Sequence, residues 1–277
     1  MRRSLPHRPG SPRSVDYGDR VKIALMDSGI GLLAAAAAVR RLRPDADLVL
    51  SSDPDGMPWG PRTPRDVTER AIAVARAAAA HAPDALIVAC NTASVHALPA
   101  LRDELEPAIP VIGTVPAIKP ASAGGGPFAI WATPATTGSP YQRALIRDFA
   151  GRAEVTEVPC PGLADGVQFA DEAGIDRAIA AACALTPEDA ADIVLGCTHY
   201  ELVAERIRAA IGRPVVLHGS ADAVAAQALR RIGTPAAVRP GAPGGLTVIL
   251  SGRESPLPDR ALGYAEARLL GAVTPAH

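Results

Sequence analysis

The sequence predicts a pseudo-duplicated α/β protein built on parallel sheets, and three observations predict it. Apolar runs of strand length alternate with helix-length, Ala-rich runs from Val21 to Leu270, the order that builds parallel sheets. One device then occurs twice, as Asp84-Ala-Leu-Ile-Val-Ala-Cys90-Asn91-Thr92 and as Asp192-Ile-Val-Leu-Gly-Cys197-Thr198-His199. Each runs from an acid through a buried type of strand and a small residue to a cysteine, then to polar residues suited to a helix start. Finally, 277 residues are enough for one large or two modest domains, whose cores 48% hydrophobic but only 3% aromatic residues must build from Ala, Val, Leu and Ile.

Taken in order, residues 1–20 are rich in Arg, Pro, Ser and Gly and read as a disordered extension. Val21–Met26 reads as the first strand, ending in the loop Asp27-Ser28-Gly29-Ile30-Gly31, and Leu32–Leu42 as a helix. The Gly-x-Gly here lacks the third glycine of a dinucleotide fingerprint and follows an acid, so a nucleotide site is not expected. Asp47–Leu50 is a second strand, and Ser51–Pro64 is a long loop of the functional kind, carrying Pro58-Trp59-Gly60. Trp59 is suited either to cover a site or to anchor packing. Pro64–His81 is a helix with proline in its first turn.

After the Cys90 unit and its helix come the strands Ile109–Gly113 and Phe128–Ala132, the latter ending in Thr133-Pro-Ala-Thr136. Ser139–Ala150 is a helix, Glu154–Val158 a strand leading to Cys160-Pro161, and Gly174–Leu185 a helix. The Cys197 unit precedes the strand Pro214–Leu217, with Gly219-Ser220-Ala-Asp222 capping the next helix. Gly244–Leu250 is the last strand and Arg260–Leu270 the last helix.

Placing Cys90 and Cys197 where a strand meets a helix points backbone N–H groups and a helix dipole at each thiol, which predicts a lowered pKa. Two such thiols, one from each half, suggest a shared site. Cys160 and Cys183 lack that polar setting and read as structural. Four cysteines without a Cys-x-x-Cys pair are no disulfide framework and indicate a reduced, cytoplasmic setting. A net charge of −1 makes no electrostatic case for nucleic acid or anionic membrane. Neither a spanning segment nor a signal peptide is visible.

Val-Ala-Cys90-Asn-Thr-Ala-Ser and Leu-Gly-Cys197-Thr-His-Tyr resemble the paired cysteine motifs of glutamate racemase, in the aspartate/glutamate racemase superfamily. Asp27-Ser28-Gly29, Pro58-Trp59-Gly60, Thr133–Thr136 with Tyr141-Gln142, and Leu250-Ser-Gly-Arg extend the likeness in order from about Val21 to Gly271. The resemblance makes the repeats two similar parallel-sheet α/β domains, 21–114 with 221–277 and 115–220, enclosing an active site in the cleft between them. It implies a cofactor-independent, metal-free isomerase that interconverts L- and D-glutamate and supplies D-glutamate for peptidoglycan.

Racemisation removes the Cα proton on one face and returns one on the other, so a thiolate and a thiol on opposite sides suit it in both directions. Cys90 and Cys197 are the expected pair, and the resemblance gives Cys90 the proton of the D form. Asp27, Ser28, Trp59, Gly60, Asn91, Thr92, Thr198 and His199 are the expected substrate-binding residues. Among them, Asp27 is suited to the substrate ammonium or the Cys90 side, and His199 to assisting Cys197. Thr133 and Thr136 are further candidates for the substrate carboxylates. The partner is a small amino acid, and the resemblance is compatible with a homodimer.

Three positions depart from the family pattern. Trp59 stands for the usual Tyr, Leu32 for the second glycine of a Gly-Gly pair, and Gln168 for an acid that assists the site, unless Asp165, Asp171 or Glu172 replaces it. Two alternatives therefore stay open: a racemase of aspartate or another α-substituted acid, and a catalytically weak paralogue kept for binding.

Overall fold

The computed structural model describes residues 20–234 and 243–271. Apart from Arg20, the extension expected at 1–20 lies outside them. In chain order the first stretch comprises β1 (Lys22–Asp27), α1 (Leu32–Leu42), β2 (Asp47–Ser52), α2 (Pro64–Ala79), β3 (Ala85–Val88), α3 (Asn91–His96), α4 (Leu98–Leu105) and β4 (Val111–Gly113). The second comprises α5 (Ile118–Ala121), β5 (Phe128–Ala132), α6 (Pro140–Phe149), β6 (Val155–Pro159), α7 (Leu163–Phe169), α8 (Glu172–Leu185), β7 (Asp192–Leu195), α9 (Thr198–Glu201), α10 (Ala204–Ile211) and β8 (Val216–His218). The chain then continues through α11 (Ala221–Arg231), β9 (Leu246–Leu250), β10 (Arg253–Glu254) and α12 (Ala265–Gly271).

The strands form two sheets, ordered β10-β9-β2-β1-β3-β4 and β6-β5-β7-β8. Every pairing is parallel except β9 with β10. The run β2-β1-β3-β4 has the same order as β6-β5-β7-β8, so the second sheet repeats the first. In each, the first and third strands of the unit lie side by side while their crossovers leave in opposite directions. This is the switch point at which open α/β sheets bind ligands, beyond the strands' carboxyl ends. Asp27 ends β1 and Cys90 follows β3 in one half; Thr133 and Cys197 follow β5 and β7 in the other.

Both faces of a parallel sheet are covered, which is why β3, β5 and the Ile23–Met26 stretch of β1 are continuously apolar rather than alternating. Helix α1 is buried over Leu32–Arg40 and packs against α9, α11 and α12. Its run of alanines lets those neighbours approach closely. One core cluster runs through both halves, joining Leu25 and Ile87 of the first sheet to Trp131 and Ile193 of the second. Tyr264 adds a polar tie, donating its hydroxyl to the Val167 carbonyl at 2.6 Å.

The structure corrects the expected elements in four places. The helix after Cys90 is interrupted at Ala97, because Pro99 in the first turn of α4 has no N–H to continue α3. Helix α7 was not expected; it starts after Gly162 at φ +76° and has no capping side chain to announce it. The last helix is divided into a 3-10 turn, Asp259–Gly263, and α12 by the extended Tyr264. Ser220 does not cap α11 with its side chain. The Glu201 carboxylate does so from α9, accepting Ser220 N at 2.9 Å, Ser220 Oγ at 2.8 Å and Ala221 N at 3.2 Å. Among the described residues, no helix is long and apolar enough to cross a membrane.

Candidate active site

The carboxyl ends of the two sheets face a common cavity of about 400 Å³. Its lining includes Cys90 and Cys197, and all eight expected binding residues: Asp27, Ser28, Trp59, Gly60, Asn91, Thr92, Thr198 and His199. Thr133 and Thr136 line it as well, their hydroxyls 3.1 Å apart. Each cysteine is the residue before a short helix, Cys90 before α3 and Cys197 before α9. The strand–cysteine–helix device is thus formed in both halves, and both copies open on the same space.

The expected lowering of the thiol pKa values is reversed. Burial pushes the Cys90 thiol well above its ordinary range, and the nearby Asp27 carboxylate pushes it further. Burial likewise raises Cys197 to about 12, with Asp27 and Glu201 adding to the effect. Backbone N–H groups of Ala93 and Ser28 at Cys90, and of His199 and Tyr200 at Cys197, oppose the rise but do not overcome it. Apart from Ser28, which lies in the loop after β1, these groups belong to helices that span only Asn91–His96 and Thr198–Glu201, too short for a strong dipole. These shifts favour the thiol over the thiolate at both positions.

Two ionisable side chains lie beside the thiols. Asp27 is buried, with Oδ1 accepting Ser28 N at 2.7 Å and Oδ2 without a protein hydrogen-bond partner. His199 is buried and turns Nδ1 toward Cys197 Sγ at 3.9 Å. Burial lowers the His199 pKa, so it rests neutral, while Asp27 and Asp165 pull the other way. The two bases meet at Gly31. A Cβ there would stand 2.4 Å from Thr198 Oγ1 and 2.7 Å from both Asp27 Oδ2 and His199 Nδ1. Gly31, rather than the position of Leu32, is thus where the absence of a side chain matters. Leu32 is buried at the start of α1.

Asn91 donates its Nδ2 to the Gly196 carbonyl at 2.8 Å, across the cleft, while its Oδ1 has no protein hydrogen-bond partner. Trp59 is a packing anchor that also lines the cavity: it is 1% exposed, and its Nε1 donates to Asp53 Oδ2 at 3.1 Å. Asp53 also accepts from Arg70 at 3.1 Å and from Gly56 N at 3.1 Å, fixing the loop that carries Trp59.

Sequence reasoning did not single out Asp53, nor Cys160 as a cavity-lining residue. Burial raises the Cys160 thiol to about 12. Gln168, read as a departure, is the residue that meets His199, its Oε1 lying 3.0 Å from Nε2. Asp165 lines the cavity, whereas Asp171 caps α8 and Glu172 pairs with Arg206. Among the described residues, no three or more His, Cys, Asp or Glu side chains are grouped to hold a metal ion.

The Asp/Glu/Hydantoin racemase family matches residues 31–228 of the chain. A glutamate racemase of a Roseiflexus species is 39% identical over 213 residues, covering 73% of this chain and 76% of the relative. That of Aliivibrio fischeri is 36% identical over 208 residues, covering 73% and 78%. The fold superposes on an Escherichia coli glutamate racemase, crystallised with L-glutamate and the activator UDP-MurNAc-ala, with a TM-score of 0.72 at 28% identity over 84% of this chain and 89% of that one. On these matches the chain belongs to the Asp/Glu/Hydantoin racemase family, and its kinship within that family is with the glutamate racemases.

Proposed function

We propose that the chain interconverts L- and D-glutamate by two-thiol proton transfer at Cα. One observation carries the reading: Cys90 and Cys197 occupy equivalent positions in two repeated sheets and line one cavity from opposite halves. That arrangement supplies a proton acceptor on one face of the substrate and a donor on the other. In one direction the Cys197 thiolate takes the Cα proton, forming an S–H bond, and Cys90 gives its own proton to the opposite face, becoming the thiolate. The reverse direction exchanges these roles. The L assignment of Cys197 follows from the family resemblance.

The charge that develops beside the substrate carboxylate needs hydrogen-bond donors. Thr92, Thr133, Thr136 and Thr198 supply hydroxyls, and the starts of α3 and α9 supply backbone N–H groups. Among the described residues that line the cavity there is no Lys or Arg, so this reading gives both carboxylates of the substrate to neutral donors. Asp27, whose Oδ2 has no protein hydrogen-bond partner, is suited to the substrate ammonium or to the Cys90 side.

We place the enzyme in the cytoplasm, in keeping with its free cysteines, supplying D-glutamate for peptidoglycan as a homodimer. The division of the strands between two sheets supports domains of 21–114 with 221–277 and of 115–220. A substrate panel followed by circular dichroism tests the reading: each glutamate enantiomer should lose optical activity fastest. Faster racemisation of aspartate or another α-substituted acid would overturn the choice of substrate.

A further inference from the structure

Gln168 is 1% exposed on α7 and reaches both halves of the molecule. It faces the Ile30 backbone N–H at 2.9 Å and His199 Nε2 at 3.0 Å, both through Oε1. A backbone N–H only donates, so the atom facing it is the amide oxygen and not the amide nitrogen. An oxygen only accepts, so His199 must carry its proton on Nε2. In the neutral ring Nδ1 then holds the lone pair, and Nδ1 is the nitrogen that faces Cys197 Sγ at 3.9 Å.

We propose that Gln168 is a positioning residue: oriented by the Ile30 N–H, its amide holds His199 in the Nε2–H tautomer, so that Nδ1 takes the proton from the Cys197 thiol. In that step the S–H bond breaks and an Nδ1–H bond forms, leaving a thiolate beside an imidazolium. The proposal rests on the reading of Cys197 as a proton carrier. Because the amide is uncharged, the imidazolium is balanced mainly by the thiolate, and its proton returns to sulfur when the cycle ends. A carboxylate at position 168 would instead hold the imidazolium in place. The other charged and titratable groups around the pair are Asp27 at the end of β1, Cys160 after β6, Asp165 on α7, and Tyr200 and Glu201 on α9. None is a cation, so an additional carboxylate would strengthen the pull that the acids already exert.

The test combines 15N NMR of imidazole-labelled protein with Cα-proton exchange from L-glutamate in wild type, Gln168→Leu and Gln168→Glu. Wild-type His199 should show a protonated Nε2 and a bare Nδ1 between about pH 6 and 8. Gln168→Leu, which lacks the acceptor, should lose the single tautomer and slow exchange by about 10- to 100-fold. Gln168→Glu keeps the acceptor, so it should recover most of that rate while raising the His199 titration midpoint by at least about one pH unit. A wild-type proton on Nδ1 overturns the inference whatever the exchange shows. So does a Gln168→Leu variant with an unchanged tautomer and unchanged exchange. Absence of exchange in the wild type, with the tautomer as stated, would instead count against the glutamate reading and the proton-carrier role it assigns to Cys197.

Discussion

Asn91 donates its side-chain amide to the Gly196 carbonyl at 2.8 Å. One residue follows Cys90 and the other precedes Cys197, so the bond ties the two thiol-bearing turns together across the cleft. Gly196 itself has no room for a side chain, since a Cβ would stand 2.8 Å from the Trp131 carbonyl. The separation of the two cysteine-bearing turns is therefore set by this pair as well as by the sheets.

Asn91→Ala should reduce turnover by about tenfold or more, since misplacement of reacting groups on an ångström scale is that costly. It should cost about 1–3 kcal/mol of stability through the carbonyl left without its donor. Steady-state kinetics and denaturant unfolding check both. Unchanged turnover with reduced stability would make the bond purely structural.

Gly31→Ala probes the meeting point of Asp27, Thr198 and His199. Gly31 has φ −58°, which any residue adopts, so the added methyl acts by steric displacement alone. Overpacking of this kind costs about 1–3 kcal/mol, while activity should fall by about 100-fold or more as both bases are pushed from their thiols. Comparing melting temperature with turnover separates the effects.

Trp59→Phe removes the Nε1 bond to Asp53 but keeps an aromatic ring at the cavity wall. Stability should drop by about 1.5–3 kcal/mol, the range for a hydrogen bond to a charged group, and KM should change more than kcat. A variant with wild-type stability would show that Arg70 and Gly56 alone secure Asp53.

The buried thiols also predict loss of stability in alkali. Cys160 is raised to about 12, against ~8.5 in an unfolded chain. The native state thus keeps a proton that the unfolded chain has lost. Its stabilising contribution is complete below about pH 8.5 and is lost progressively as the pH rises toward the folded value. Cys160→Ala should flatten the fall of unfolding free energy over that interval by about 1.4 kcal/mol per pH unit, measured by urea unfolding under reducing conditions.

The architecture was legible because its signals are local. A strand, a cysteine and polar helix starters lie within a dozen residues, and the sequence shows them twice. Most of the expected lining residues were legible for the same reason, since they follow strand ends; Trp59 and Gly60 stood out instead by the length of the loop that carries them. What escaped was set by contacts distant in sequence: Gln168 with Ile30, Asn91 with Gly196, Ser220 with Glu201. The thiol pKa values escaped because depth of burial outweighs the short helices beside them. The beginning of α7 was hidden because Gly162 supplies a left-handed turn without a capping side chain.

The central claim is that Cys90 and Cys197 serve opposite faces of one substrate. The most direct measurement is Cα deuterium uptake from L- and D-glutamate in heavy water by wild type, Cys90→Ala and Cys197→Ala. The account predicts uptake with inversion from both enantiomers by the wild type, and no inversion by either variant. Inversion persisting in either single-cysteine variant would contradict it.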